Sequence, residues 1–339
     1  MKTDFLDDVE KGLKEKREHV AQWQETASPD ELDLELGPQG EPGLQTHIHI
    51  IDSSLEKLEQ GVLGICTVCH QTVDENLLQM DYTACICLDH YSTEERRELE
   101  NELELSQIIQ RGLLPHHVPS IEGLDVAAFS RPAQIIGGDY FDFLKFNDGS
   151  NGFVIADVSG KGVSAGMLIS SLQTAFYTLV PENDSLTRIL EKINRLYIHN
   201  INVTTFVTLF LGRIDPKTNT LTYASAGHNP AYLFHRTKNR GSWLQPTGAA
   251  IGLVEDSHIQ CSTLQLEHGD ILLLYTDGIT EAFDLGNQQF GEARLEAVIQ
   301  EHKDRSADEL IQRVLEAVNL FVDGRPLVDD TTMVIAKVR

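Results

Sequence analysis

From Ile121 to the C-terminus the chain breaks into short apolar runs of strand length, most of them ended by glycine or by an acid. The runs are LDVAAFSR, GFVIADVSG, FVTLFLGRID, LTYASAG, AYLFHR, DILLLYTDG and finally TTMVIAKV. Helical spacing interrupts them in pairs, over 163–179 and 185–198, then over 292–302 and 307–322. Strands joined by short turns, with helices inserted two at a time, predict an α+β fold of packed antiparallel sheets. A doubly wound parallel sheet would need strict alternation of strand and helix, which is absent. This region, 119–339, is expected to form one domain.

The part before it differs in kind. Asp and Glu number 52 against 27 Lys and Arg, a formal charge of -25, and most of the excess lies up to Leu105. Helical spacing runs through 3–26 (Phe5, Leu6, Val9, Leu13, Val20, Trp23) and again over 49–60. Between them SPDELDLELGPQGEPG reads as a loop or hairpin tip. A stronger amphipathic helix is predicted over 93–112, with Ser92 and Glu95 as a capping box, Pro115 as a stop and an apolar stripe of Leu99, Leu103, Ile108 and Ile109. It reads either as a solvated spacer or as a signalling or dimer helix. The expected domains are therefore 1–92, a linker or switch helix over 93–118, and 119–339.

The acidity argues against direct nucleic-acid binding, since neutralising phosphates needs clustered Lys and Arg, and it disfavours anionic membrane surfaces. No apolar run approaches the ~18–20 residues of a spanning helix, and the charged start MKTDFLDDVEKGLKEK does not read as a secretory signal. Four of the 5 cysteines fall between Cys66 and Cys87, which in a cytoplasmic chain reads as metal binding rather than a disulfide framework. The localisation expected is cytoplasmic.

Cys66 and Cys69 form one CxxC knuckle, and Cys87 with His90 forms a CxxH knuckle of equal bite. Together they make a Cys3His set for one tetrahedral, structural Zn²⁺. Cys85 is the alternative fourth ligand, although CxC is an awkward chelate. At these residues LEKLEQGVLGICTVC and TACICLDH resemble the DksA/TraR family of zinc-finger proteins, over about 1–92. Here His90 stands where that family usually has cysteine, and Pro29, Pro38 and Pro42 interrupt the hairpin. The resemblance implies a contact with RNA polymerase, for which the acidic Asp30, Glu31, Asp33 and Glu35 would serve as the tip.

Acids also recur at the ends of the strand-like runs: Asp139 and Asp142 in GGDYFDF, Asp157 in ADVSGKG, Asp277 and Glu281 in YTDGITE, Asp329 and Asp330 in VDDTT. Singly each reads as a turn residue. Gathered without matching cations they would repel one another, and hard Mg²⁺ or Mn²⁺ relieves such repulsion through oxygen ligands. Two such ions ~3.5–4 Å apart can generate hydroxide at neutral pH and clamp an in-line displacement on phosphorus.

In order, LELSQIIQRGLLP, PAQIIGGDYFDF, IADVSGKGVSAGMLIS, FVTLFLG, YASAGHNPAYLF, GAAIGL, DILLLYTDGITEA and DDTTMVIAKV resemble the SpoIIE/RsbU branch of the PPM metal-dependent phosphatases. The resemblance covers Leu103 to Arg339. It implies a β-sandwich flanked by helices, and two Mn²⁺ or Mg²⁺ ions held at one end of it. Asp157 would bridge both, with the Val158 carbonyl beside it; Asp277 and either Asp329 or Asp330 would complete the second site, and Asp139 would hold metal-bound water. Gly160, Gly162 and the following helix start could offer N–H groups to the phosphate. Lys161 could assist or be structural, and SGKG lacks the spacing of a nucleotide P-loop. His228 in AGHNP reads as a general acid or as a turn histidine. The implied activity is a serine/threonine phosphoprotein phosphatase in a bacterial-type signalling or sigma-factor pathway, often with a STAS-type regulator as substrate, and a homodimer is expected. The alternative is a DksA-like polymerase-binding regulator with secondary phosphatase activity.

Overall fold

The computed structural model describes residues 10, 13, 14, 17, 40–73, 85–87, 90, 92–133, 135–159, 162–182, 185–200, 206–215, 217–325, 327 and 329–339. The chain forms two compact units, Met1–Glu102 with Asn202–Thr204, and Leu103–Ile201 with Thr205–Arg339.

In the first unit, helix α1 spans Gly40–Glu59. It starts well ahead of the expected residue 49, inside the Pro/Gly-rich stretch read as a loop. Pro42 explains this: in a first helical turn its missing N–H has no intrahelical partner to lose, and its fixed φ suits the helix. Most of the helix expected over 3–26 and the acids Asp30, Glu31, Asp33 and Glu35 lie outside the described residues. Arg17 pairs with Asp52 of α1 at 2.8 Å. Helix α2 spans Thr93–Leu113, as the amphipathic pattern predicted.

The second unit is built on two five-stranded antiparallel sheets. Its strands are β1 (Leu124–Arg131), β2 (Asp139–Lys145), β3 (Asn151–Val158), β4 (Val207–Asp215), β5 (Thr220–Ala226), β6 (Ala231–His235), β7 (Arg240–Leu244), β8 (Ser262–Gln265), β9 (Ile271–Tyr275) and β10 (Thr331–Val338). One sheet has the order β1-β10-β9-β6-β7 and the other β2-β3-β4-β5-β8. The helices are α3 (Val163–Leu179), α4 (Leu186–Asn200), α5 (Asp277–Thr280), α6 (Gly291–Glu301) and α7 (Ala307–Phe321). The α+β expectation holds. β2, β7, β8 and α5 were not among the expected elements, because acids, Gly and polar residues mask their short patterns.

Strand alternation sorts the side chains into three apolar layers. Phe153 and Ile155 of β3 meet Leu272 and Leu274 of β9 between the sheets. Val154 and Ala156 face α3 and α4. Leu273 and Ile335 face α6 and α7 on the far side. β9 reads ILLLY without polar alternation because both its faces are covered, and every one of its residues is buried. Ser306 and Glu309 form a capping box at the start of α7.

Candidate active site

The alternation that builds the inter-sheet layer also fixes where the acids go. Asp139 and Asp157 are direct cross-strand partners in the β2–β3 register. Counting along β3, Phe153, Ile155 and Asp157 share one face, so Asp157 continues the apolar row that fills the sandwich. Asp139 stands at the same end of β2, in line with Phe141. On the facing sheet, β9 gives way to Thr276 and then to Asp277, the first residue of α5. Asp329 and Asp330 immediately precede β10. Five acids drawn from four chain segments therefore cap one end of the inter-sheet core.

Burial makes this grouping electrostatically demanding. Asp139 is 6% exposed. Burial lifts its carboxyl well above the usual carboxylate range, and the like charges of Asp157 and Asp330 push the same way. Hydrogen bonding from the Thr276 and Thr332 hydroxyls opposes the shift, Thr276 donating at 2.7 Å. Thr276 in turn accepts the Thr332 backbone N–H at 3.0 Å. These threonines escaped the sequence reading, although each lies close to an acid, in YTDG and in DDTT.

Asp329 and Asp330 have different surroundings. The Asp330 carboxylate accepts the backbone N–H groups of Ala133 (2.6 Å) and Gly138 (2.5 Å), and so anchors the loop leading to Asp139. Asp329 is half-buried and accepts the Asp330 N–H at 2.8 Å. Gly278 after Asp277 is required for the close approach of these segments, since a Cβ there would lie 1.9 Å from the Asp330 carbonyl oxygen.

Other expected residues take other places. Asp142 points to the opposite face of β2, where it accepts the Tyr140 hydroxyl at 2.8 Å and the Phe143 N–H at 2.7 Å. Val158 closes β3 and donates its N–H to the Gly138 carbonyl at 3.0 Å. Gly162 caps α3, with its N–H 3.4 Å from the Ile136 carbonyl. Gly160 and Lys161 lie outside the described residues.

One residue of α2 also reaches this region. Gln110, 8% exposed, donates to the Gly137 carbonyl at 2.6 Å and accepts the Gly137 N–H at 3.0 Å. That peptide lies next to the Gly138–Asp139 pair. Leu113 and Leu114 pack against the layer under α3. The predicted stripe divides: Ile108 and Ile109 are 65% and 58% exposed, while Leu103, on the same face as Gln110, is half-buried. The side chain of Leu99 lies outside the described residues.

The cysteine cluster belongs to the first unit. Cys66, Cys69, Cys87 and His90 each bring a ligand atom to within 4.8 Å of the others, and Cys85 is not in the group. Thr67 holds the Cys85 carbonyl through its N–H (2.8 Å) and its hydroxyl (3.1 Å). Burial pushes the Cys87 thiol up to about 12, with Cys66 and Cys69 adding to the shift. Burial also raises Cys66, but backbone N–H groups around it outweigh that and bring it down to about 6. Among the described residues this is the one set of three or more such ligands within that spacing; the aspartates do not close as tightly.

A model of the SpoIIE family, stage II sporulation protein E, matches residues 147–339. The phosphoserine phosphatase RsbU of Bacillus subtilis is 31% identical over 242 residues, covering 71% of this chain and 71% of RsbU. The chain belongs to the SpoIIE family of PPM phosphatases. Among solved structures, it resembles the SiaA-PP2C domain of Pseudomonas aeruginosa at 19% identity and a TM-score of 0.63, over 73% of this chain and 100% of that domain. The RsbU and RsbW domains of Rv1364c from Mycobacterium tuberculosis match at 25% identity and a TM-score of 0.58, over 67% of this chain and 63% of that one. RsbX in complex with magnesium matches at 17% identity and a TM-score of 0.50, over 66% of this chain and 99% of RsbX. The two-sheet unit thus has the PP2C-like fold.

Proposed function

We propose that this SpoIIE-family enzyme, a protein serine/threonine phosphatase, removes phosphate from a phosphoserine of a regulatory protein, using two Mn²⁺ or Mg²⁺ ions. The observation that carries the metal reading is the buried Asp139, whose neighbouring charges at Asp157 and Asp330 are both of its own sign. Carboxylates collected in this way suit hard divalent cations, which prefer oxygen ligands. Asp139, Asp157, Asp277, Asp329 and the Val158 carbonyl are the residues that would hold them. Asp330 is read instead as the anchor of Ala133 and Gly138, since each of its carboxylate oxygens already accepts a backbone N–H. When bound, such a pair of ions supplies Lewis acidity and a water activated at neutral pH.

The chain's own residues do the positioning. Thr276 and Thr332 fix the Asp139 carboxyl, and Asp330 fixes the loop before it. The amide groups of Gly160, Gly162 and the α3 start, with Lys161, are the proposed phosphate cradle.

The relatives give no support to a DksA-like polymerase regulator. They favour a substrate in a partner-switching or sigma-factor pathway, such as a STAS-type protein. In the first unit, Cys66, Cys69, Cys87 and His90 would hold one structural Zn²⁺: three thiols and an imidazole at this spacing fill a tetrahedral shell and leave no open catalytic position. The proposed layout is a zinc-binding module over 1–92, a switch helix over 93–118 and the phosphatase over 119–339, in a cytoplasmic homodimer. Among the described residues no helix is long and apolar enough to cross a membrane.

The test is hydrolysis of p-nitrophenyl phosphate and of phosphoserine protein. Activity should require added Mn²⁺ or Mg²⁺, and Asp157→Asn should lower it at least ~100-fold while the protein stays folded. Full turnover in excess EDTA would refute the metal reading. Phosphoprotein captured by the Asp157→Asn variant would identify the substrate.

A further inference from the structure

The AGHNP turn between β5 and β6 holds a buried histidine that no step above uses. Gly227 has φ 63°, and a Cβ there would meet Ala250 at 3.0 Å, so the chain passes Ala250 in a conformation that favours glycine. The next ring, His228, is 2% exposed. A ring so enclosed cannot reach a protein substrate, which removes the general-acid reading.

Its neighbours give it a different role. His228 Nδ1 lies 2.9 Å from the Thr208 hydroxyl. Thr208 sits on β4 directly opposite Asp157, and the same hydroxyl is 3.5 Å from the Asp157 carbonyl oxygen. Burial draws the imidazole down to about 4, against the pull of the Tyr275 backbone, so the ring is neutral at pH 7. A neutral imidazole offers one donor and one acceptor. With the proton on Nδ1 the ring donates to the Thr208 hydroxyl, which in turn donates to the Asp157 carbonyl. Nε2 is buried without a hydrogen-bond partner, so the ring's one polar contact of good geometry is the one to Thr208.

We propose that His228 is a positioning residue, which through the Thr208 hydroxyl holds the Asp157 backbone at the end of β3. The proposal rests on the reading that Asp157 holds the ions. Changes to residues that orient metal ligands typically cost 10–100-fold in metal affinity.

Titration calorimetry with Mn²⁺ on the full chain tests it. Thr208→Val and His228→Ala should each weaken Mn²⁺ binding by ~10-fold. The double variant should be no weaker than the worse single, because both changes break one link. His228→Asn, whose amide keeps a hydrogen-bond donor for Thr208, should recover part of the loss. At saturating Mn²⁺ the KM for p-nitrophenyl phosphate should stay unchanged while the metal requirement rises. Thr208→Val decides alone if His228→Ala does not fold. Folded Thr208→Val with Mn²⁺ affinity within about twofold of the parent protein would overturn the proposal. If Asp157→Asn also binds Mn²⁺ like the parent, the error lies in the metal reading; if Asp157→Asn loses it, the error lies in the role of His228.

Discussion

Asp329 and Asp330 share a side chain and a neighbourhood, yet their hydrogen bonds separate them. Asp330 satisfies two backbone N–H groups of another segment, while Asp329 caps its own neighbour. Hydrogen bonds to a charged group contribute about 1.5–3 kcal/mol each, so Asp330→Ala should destabilise the metal-free protein by about 3 kcal/mol or more in urea unfolding. Asp329→Ala should leave that unfolding nearly unchanged and lower Mn²⁺-dependent turnover at least ~100-fold. The reverse pattern would exchange their roles. The proposed zinc ligands allow a similar contrast. Cys85→Ser should keep about one Zn²⁺ per chain by metal analysis, and His90→Ala should lose it or hold it far more weakly, because a structural site needs all four ligands. Zinc kept by His90→Ala and lost from Cys85→Ser would shift the register to Cys85.

At the scale of elements, the decisive contact is one that hydrophobic spacing could not reveal. The 93–112 pattern predicts a helix correctly and then points to its apolar stripe as the packing face. Gln110 lies seven and eleven residues after Leu103 and Leu99, on their face but polar, and it is Gln110 that pairs with the N–H and carbonyl of Gly137. An amide side chain matching a peptide is invisible to hydrophobic periodicity. Gln110→Leu should strand those groups, lower turnover about tenfold and raise the Mn²⁺ requirement, at a stability cost of about 1–3 kcal/mol. Unchanged turnover would show that the 135–138 loop holds its place without α2.

The same limit explains which elements were legible. The apolar runs of β1, β3, β4, β9 and β10 appear because both sheet faces or a whole inner row are hydrophobic. β2 carries two acids in its seven residues and is not among the expected strands. The acids themselves stood out as strand-end residues. Their convergence depends on the β2–β3 register and the facing sheet, and the sequence suggested it only through family resemblance. Thr208, Thr276 and Thr332 gave no signal, since threonine is ordinary in strands.

Taken whole, the molecule forms two compact units that meet along the chain within α2, at Glu102–Leu103. The catalytic unit therefore includes the half of α2 that carries Gln110 and Leu113. That division separates two questions that a single truncation would confuse: whether the first unit influences catalysis, and whether the catalytic unit is intact without α2. A chain beginning at Leu103 keeps the Gln110–Gly137 pairing, and one beginning at Ser120 loses it. The first should hydrolyse p-nitrophenyl phosphate with the Mn²⁺ dependence of its own catalytic unit, so its difference from the full chain measures control by the first unit. The second should be slower than the first and need more Mn²⁺, as Gln110→Leu does. Leu103→Asp in the full chain adds charge to the half-buried edge of α2 without touching Gln110. Should it change sedimentation and turnover together, the stripe serves an interface between copies and that interface is coupled to catalysis. Equal rates and equal metal dependence in all four proteins would remove control through α2 altogether, because a regulatory element must make different contacts in its two states.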